Sequence, residues 1–274
     1  MSKKHLIIGL WVIIIWIVSP SSVMGQDPHS HHGTPAEAAK GKLFQAKMSA
    51  PSAIRQGQSF IAHIHIQDDK GRRVSDFEIF QEKLMHLILV SDDLGFFLHL
   101  HPEYRSGGHF QTNITLPFAG TYTMFCDYKP AGHHEQLSVL KLHARGVKKA
   151  PDIKDIQEIE KTVEDIKVRL SFSPKTVKAN EETVVTFDLR QASDDKPVTG
   201  LQPYLGEKGH LVVIRKSTAL TAEDYVHAHA MKEGKESEIQ FMTRFPKAGL
   251  YKMWCQFNRG GRILTADFRI DVSH

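Results

Sequence analysis

Among the places in this chain where two histidines are separated by a single residue are His99-x-His101 and His227-x-His229. In an extended strand, residues i and i+2 project to one face, so each pair predicts two imidazoles side by side, able to share one metal ion. A third histidine, His86 or His210, precedes each pair on a neighbouring predicted strand, and a cysteine, Cys126 or Cys255, ends a later one. Imidazole and thiolate suit copper or zinc. The expected ligands are therefore His86, His99, His101 and Cys126 in one set and His210, His227, His229 and Cys255 in the other, for copper or zinc. Met124 and Met253 share a face with the cysteines and could add a thioether.

Each of these residues has a competing reading. His86 and His210 could be core histidines satisfied by a backbone carbonyl. Cys126 and Cys255 could be small buried hydrophobes, metal ligands, or a disulfide between equivalent strands brought within about 7 Å. A buried trio of imidazoles, however, asks for metal or catalysis, because its ring nitrogens must be satisfied.

The elements that must position these residues are short and extended. Phe60–Ile66 alternates, Leu84–Val90 is apolar, Phe110–Leu116 alternates, and turn residues such as Asp68-Asp69-Lys70-Gly71 separate the runs. This pattern predicts an all-β sandwich. It also repeats. Glu82-Lys83 and His86-Leu87-Ile88-Leu89-Val90 match Glu207-Lys208 and His210-Leu211-Val212-Val213-Ile214. Pro117-x-Ala119-Gly120-x-Tyr122-x-Met124-Phe125-Cys126 matches Pro246-x-Ala248-Gly249-x-Tyr251-x-Met253-Trp254-Cys255 without a gap. With the His-x-His pairs between them, the blocks keep their order, which identifies a tandem repeat. The first copy has additional histidines: His63 and His65, where the second has Phe187 and Leu189, then His109, His133 and His134. If the copies differ in function, the first is the stronger metal binder.

The predicted organisation is a signal peptide over 1–25, a histidine-containing flexible tail over 26–41, a sandwich over 42–145, a charged linker over 146–165 and a second sandwich over 166–274. Lys3 and Lys4, the apolar run Leu6–Val18 and the break at Ser19-Pro20 form the signal segment, with cleavage before Gln26. A retained membrane anchor is the competing reading, but the run is shorter than the roughly 20 residues a spanning helix needs. The expected location is periplasmic or secreted. His29, His31 and His32 in the tail could bind metal loosely or simply be solvated.

The formal charge of +4, which removal of Lys3 and Lys4 brings to about +2, is too weak and too scattered for a nucleic-acid partner. There is no phosphate loop, no Ser-His-Asp arrangement and no paired carboxylate, so an enzyme is not expected. The expected partners are a metal ion and an extracytoplasmic or membrane protein.

The Pro-x-Ala-Gly-x-Tyr-x-Met-x-Cys strand resembles the final strands of cupredoxin-like sandwiches. The phrases around Tyr204-Leu205-Gly206, Gly209–Val213 and Val226-His227-Ala228-His229 look like those of exported bacterial proteins with YtkA-like or related cupredoxin-like domains. The resemblance covers residues 44–144 and 167–272. It implies two tandem Greek-key (cupredoxin-like or Ig-like) β-sandwiches, an extracytoplasmic setting and copper or other heavy-metal handling, so that copper is expected ahead of zinc. The chain also departs from that pattern. A blue-copper site needs a His and usually a Met just after its Cys; Cys255 is followed by Gln256-Phe257-Asn258-Arg259-Gly260-Gly261, and Cys126 has His133 but no Met. The His-x-Met pair of periplasmic copper chaperones is replaced by His-x-His. The alternative function is a protein-interaction module with structural histidines.

Overall fold

The computed structural model describes residues 44–148, 158–232 and 234–274; the predicted signal peptide, the histidine tail and residues 149–157 of the predicted linker lie outside them. The strands of the first repeat are β1 (Phe44–Ser49), β2 (Ile54–Arg55), β3 (Ser59–Asp68), β4 (Phe77–Glu78), β5 (Met85–Ser91), β6 (Phe97–Leu100), β7 (Glu103–Ser106), β8 (His109–Thr115), β9 (Gly120–Pro130) and β10 (Gln136–Arg145). Those of the second are β11 (Glu160–Val163), β12 (Ile166–Ser173), β13 (Glu182–Gln191), β14 (His210–Arg215), β15 (Tyr225–Val226), β16 (Ala228–Met231), β17 (Glu238–Arg244), β18 (Gly249–Arg259) and β19 (Arg262–Val272).

Each repeat is a two-sheet sandwich. In the first, the sheet β1-β3-β8-β7 faces the sheet β2-β10-β9-β5-β6, with β4 also paired to β9. In the second, β11-β12-β13-β17-β16 faces β15-β14-β18-β19. The fold is therefore all-β, with two tandem sandwiches. Alternation along the strands fills each core. Ala62, Ile64 and Ile66 of β3 meet Leu87, Leu89, Met124, Cys126 and Tyr128, while Val185, Phe187 and Leu189 of β13 meet Leu211, Val213, Met253, Cys255 and Phe257.

The repeated Pro-x-Ala-Gly-x-Tyr block builds the same corner twice. Gly120 and Gly249 open β9 and β18 with φ of 143° and 129°, a conformation L side chains rarely adopt. Two residues on, the Tyr122 hydroxyl donates to the Phe118 carbonyl (2.8 Å), and the Tyr251 hydroxyl donates to the Lys247 carbonyl (2.7 Å). This is the tyrosine corner found in many sandwiches. Tyr251→Phe, which leaves that carbonyl unpaired, is expected to lose about 1–2 kcal/mol by urea denaturation.

Part of the predicted linker is strand. β11 pairs with β12 from Glu160↔Arg169 to Val163↔Ile166, turning at Glu164 with φ 53°. The Arg169 guanidinium on Glu160 (2.7 Å) and the Lys161–Asp267 ion pair hold it down, and Val163 packs on the core.

β5 is buried on both faces, because the two repeats dock through equivalent sheets. Met85, Leu87 and Leu89 enter their own core, whereas Ile88, Val90 and Phe125 pack against Val212, Ile214 and Trp254 in a third apolar cluster. Strand registers define the equivalences: Ile88 faces both Phe125 and His99, Val212 faces Trp254, Val90 faces Phe97 and Ile214 faces Tyr225. Phe97 stacks on Trp254 (centroids 4.7 Å apart, 14°), and its counterpart Tyr225 meets Phe125, the counterpart of Trp254, at 5.3 Å. The exchange of partners is that of a two-fold interface. His86 and its counterpart His210 face each other near that pseudo-dyad, with ring centroids 5.8 Å apart and planes 12° from parallel.

Candidate metal centre

His86 is the first outward-facing residue of β5, alternating with the inward Met85 and Leu87. His99 lies beside it on β6, paired with Ile88, and His101 follows where the chain leaves that strand. Among the described residues these are the ones brought together as a metal-holding group: one nitrogen of each lies within 4.8 Å of the others. The site sits at one end of the seam between the repeats. His210 of β14 faces it from the other side, with its ring centroid 4.8 Å from that of His99, although its nitrogens stand outside the group that lies within 4.8 Å of one another.

The protonation of two rings follows from their partners. His86 Nε2 is 3.0 Å from the Phe80 carbonyl, which can only accept, so Nε2 carries the hydrogen. The Gln256 amide donates through its nitrogen to Thr265, and its Oε1 lies 2.7 Å from His99 Nδ1, which therefore carries the hydrogen of that ring. The remaining nitrogens, His86 Nδ1 and His99 Nε2, then point bare lone pairs at each other across 3.1 Å. Two nitrogens on one tetrahedral ion, each at about 2.0–2.1 Å, stand roughly 3.3 Å apart. A carbonyl and an amide fixing the outer N–H is also the usual support for a metal-binding imidazole. His101 Nε2 and His210 Nε2 are buried with no hydrogen-bond partner. These orphaned nitrogens fit a metal ion.

Burial keeps the group neutral. It pushes His86 and His101 down to about 4 and His210 to about 3, and it holds His99 well below the ordinary imidazole value, with His210 and His86 adding to the effect. Neutral imidazole is the form that binds metal. Asp127 pairs with His86 across β5 and β9 and occupies the position equivalent to Gln256. Its Oδ1 is buried without a partner, and burial, with Glu135 nearby, raises its carboxyl well above the usual range.

The other expected ligands lie elsewhere. Cys126 and Cys255 are free and point into the two separate cores, on the face of their strands opposite His86 and His210. Burial pushes the Cys126 thiol up to about 12 and Cys255 higher still, so neither is a thiolate. Equivalent strands do meet across the seam, but a disulfide would need the opposite faces. Met124 and Met253 point inward with the cysteines.

His227 and His229 do not join His210. β15 stops pairing with β14 at Val226, whereas β6 continues to Leu100. The Thr243 hydroxyl donates to the His227 carbonyl (2.7 Å), and the next residues pair with β17, which carries His229 onto the opposite sheet, facing Met242. The ring of His227 packs on Tyr225.

The additional histidines of the first repeat form a separate group on the outer face of its other sheet. His63 Nδ1 is 3.0 Å from His109 Nε2, and His65 stacks on His109 at 4.6 Å. His133 packs edge-on against Phe44. The residue that sequence reading misses is Gln256: it follows Cys255 and is visible there only as something other than a blue-copper His or Met.

Among solved structures the chain is similar to invasin, a bacterial integrin-binding protein (TM-score 0.24, 10% identity, 82% of this chain and 39% of that one). It is similar to InvD of Yersinia pseudotuberculosis (0.28, 10%, 83% and 57%). It is also similar to trypsin-activated α2-macroglobulin from Escherichia coli (0.29, 13%, 85% and 16%). The chain thus spans less than two thirds of each of these proteins. No curated protein matches the sequence. Among the described residues no helix is long and apolar enough to cross a membrane. Residues 38–142 and 161–274 match the model of one family, described as Domain of unknown function (DUF8832), and the chain belongs to that family.

Proposed function

We propose that the chain is an exported metal-binding protein that holds copper through His86, His99 and His101. The observation that supports this most is the pair of bare nitrogens facing each other across 3.1 Å, each ring locked from behind by an acceptor. The inward turn of the cysteines and methionines leaves an all-imidazole donor set, which suits divalent copper or zinc, with copper favoured by intrinsic affinity. The role is binding, delivery or storage; the export reading rests on the signal segment. YtkA-like copper handling remains a resemblance in keeping with this reading.

The test uses the full chain with His29, His31 and His32 replaced by Ala, to silence the tail. Titration with Cu²⁺ and Zn²⁺ is expected to reveal a site that H99A/H101A weakens by about a hundredfold or more. Binding no tighter than millimolar in the parent removes the reading.

A second reading is a sandwich scaffold that binds protein partners and uses these histidines structurally. It is favoured by the hydrogen-bond partners that His86 and His99 already have. It requires a melting temperature indifferent to added metal and to chelator.

A further inference from the structure

Repetition leads one to expect two ions, one in each sandwich. The geometry points to one ion gripped by both: we infer that His210 of the second repeat supplies a fourth nitrogen to the His86–His99–His101 site, so that metal binding and docking of the repeats are a single equilibrium. This rests on the metal reading given above.

Four observations carry it. His210 lies at the start of β14, outward like His86; its ring stacks on His86 at 5.8 Å and lies tilted by 33° at 4.8 Å from His99, so that a side-chain adjustment of His210 would bring its nitrogen to the three already within 4.8 Å of one another. Its Nε2 is fully buried without a hydrogen-bond partner, which in an apolar seam costs about 1–3 kcal/mol unless something binds there. Among the described residues its own repeat builds no second metal-holding group around it, and the chain after Val226 crosses to β17 and takes His229 to the opposite sheet. The second repeat already reaches into the site through Gln256, whose amide oxygen accepts from His99. The ligands would thus be neutral imidazoles from β5, β6, the turn after β6, and β14. Both repeats belong to one compact unit, and the apolar seam of Ile88, Phe125, Val212 and Trp254 continues directly from the site. An ion bound on both sides of that seam resists its opening, and an opened seam has only part of the ligand set to offer.

The experiment compares affinities for Zn²⁺ and Cu²⁺ in the tail-silenced full chain. H210Q is expected to lower affinity tenfold to a hundredfold, whereas H227Q and H229Q leave it unchanged. Zinc is expected to raise the melting temperature of the parent and to raise that of H210Q much less, as binding to the native state alone requires. An H210Q that binds as tightly as the parent overturns the inference and leaves the three-histidine site standing. A parent that binds no better than H99A/H101A removes that site itself. Should H210Q fail to fold, X-ray absorption on the zinc-loaded parent decides: four imidazole ligands support the inference and three overturn it.

Discussion

Acidifying the metal-free protein from pH 7.5 to 4.5 is expected to remove roughly 5–8 kcal/mol of stability, a large share of the about 5–15 kcal/mol typical of a folded protein. The cause is the buried histidine group. His86 is pushed down to about 4 and His210 to about 3 by burial, and His99 well below its ordinary value, against about 6.5 in an unfolded chain. These groups stay neutral in the folded protein while the unfolded chain takes up protons. Their contribution is therefore complete above pH 6.5 and declines as pH falls toward 4, at about 1.4 kcal/mol per pH unit for each ring. Mutual repulsion among the rings spreads the loss over a wider range. Asp127 acts in the opposite sense: its raised carboxyl weakens the fold at neutral pH, and protonation relieves it. Urea unfolding at fixed pH values with a chelator present measures the slope. A midpoint flat between pH 7 and 5 would mean that the rings are not buried as described.

Trp254→Ala should cost about 3–4 kcal/mol, in the range for a large buried aromatic. Trp254 is 4% exposed although it faces away from its own core. Its burial comes from Phe97, Ile88, Val90 and Phe125 of the other repeat. The loss therefore reports docking between repeats as well as packing within one. Ile79→Ala, at an exposed position, should move stability by less than about 0.5 kcal/mol. A Trp254→Ala loss below about 1 kcal/mol by urea denaturation would show that the seam is not part of the cooperative fold.

Much of the architecture is legible in the residues. The alternation of β3 and the repeated Pro-x-Ala-Gly-x-Tyr block lead directly to a duplicated sandwich, because both are local consequences of strand geometry and a single corner. The proximity of His86, His99 and His101 follows from strand neighbourhood in the same way. What local pattern does not carry is the relation between the copies. Sequence reading gives the second repeat its own centre, yet a single hydroxyl, Thr243, and the pairing of β16 with β17 draw His229 away. The direction of Cys126 depends on which face of β9 is the core, and a strand buried on both sides hides that parity. The run Leu84–Val90 does carry the relevant signal, since apolar residues on both faces mean a second partner beyond the strand's own core.

The partner exchange of Phe97 with Trp254 and Tyr225 with Phe125 has a consequence for how assembly responds to dilution. Separate modules meeting through such a face would form a dimer whose population falls as the protein is thinned out. Joining them in one polypeptide replaces that encounter with an effective local concentration on the order of millimolar. The imidazoles then come together by a first-order step, as readily at trace abundance as in a crowded compartment.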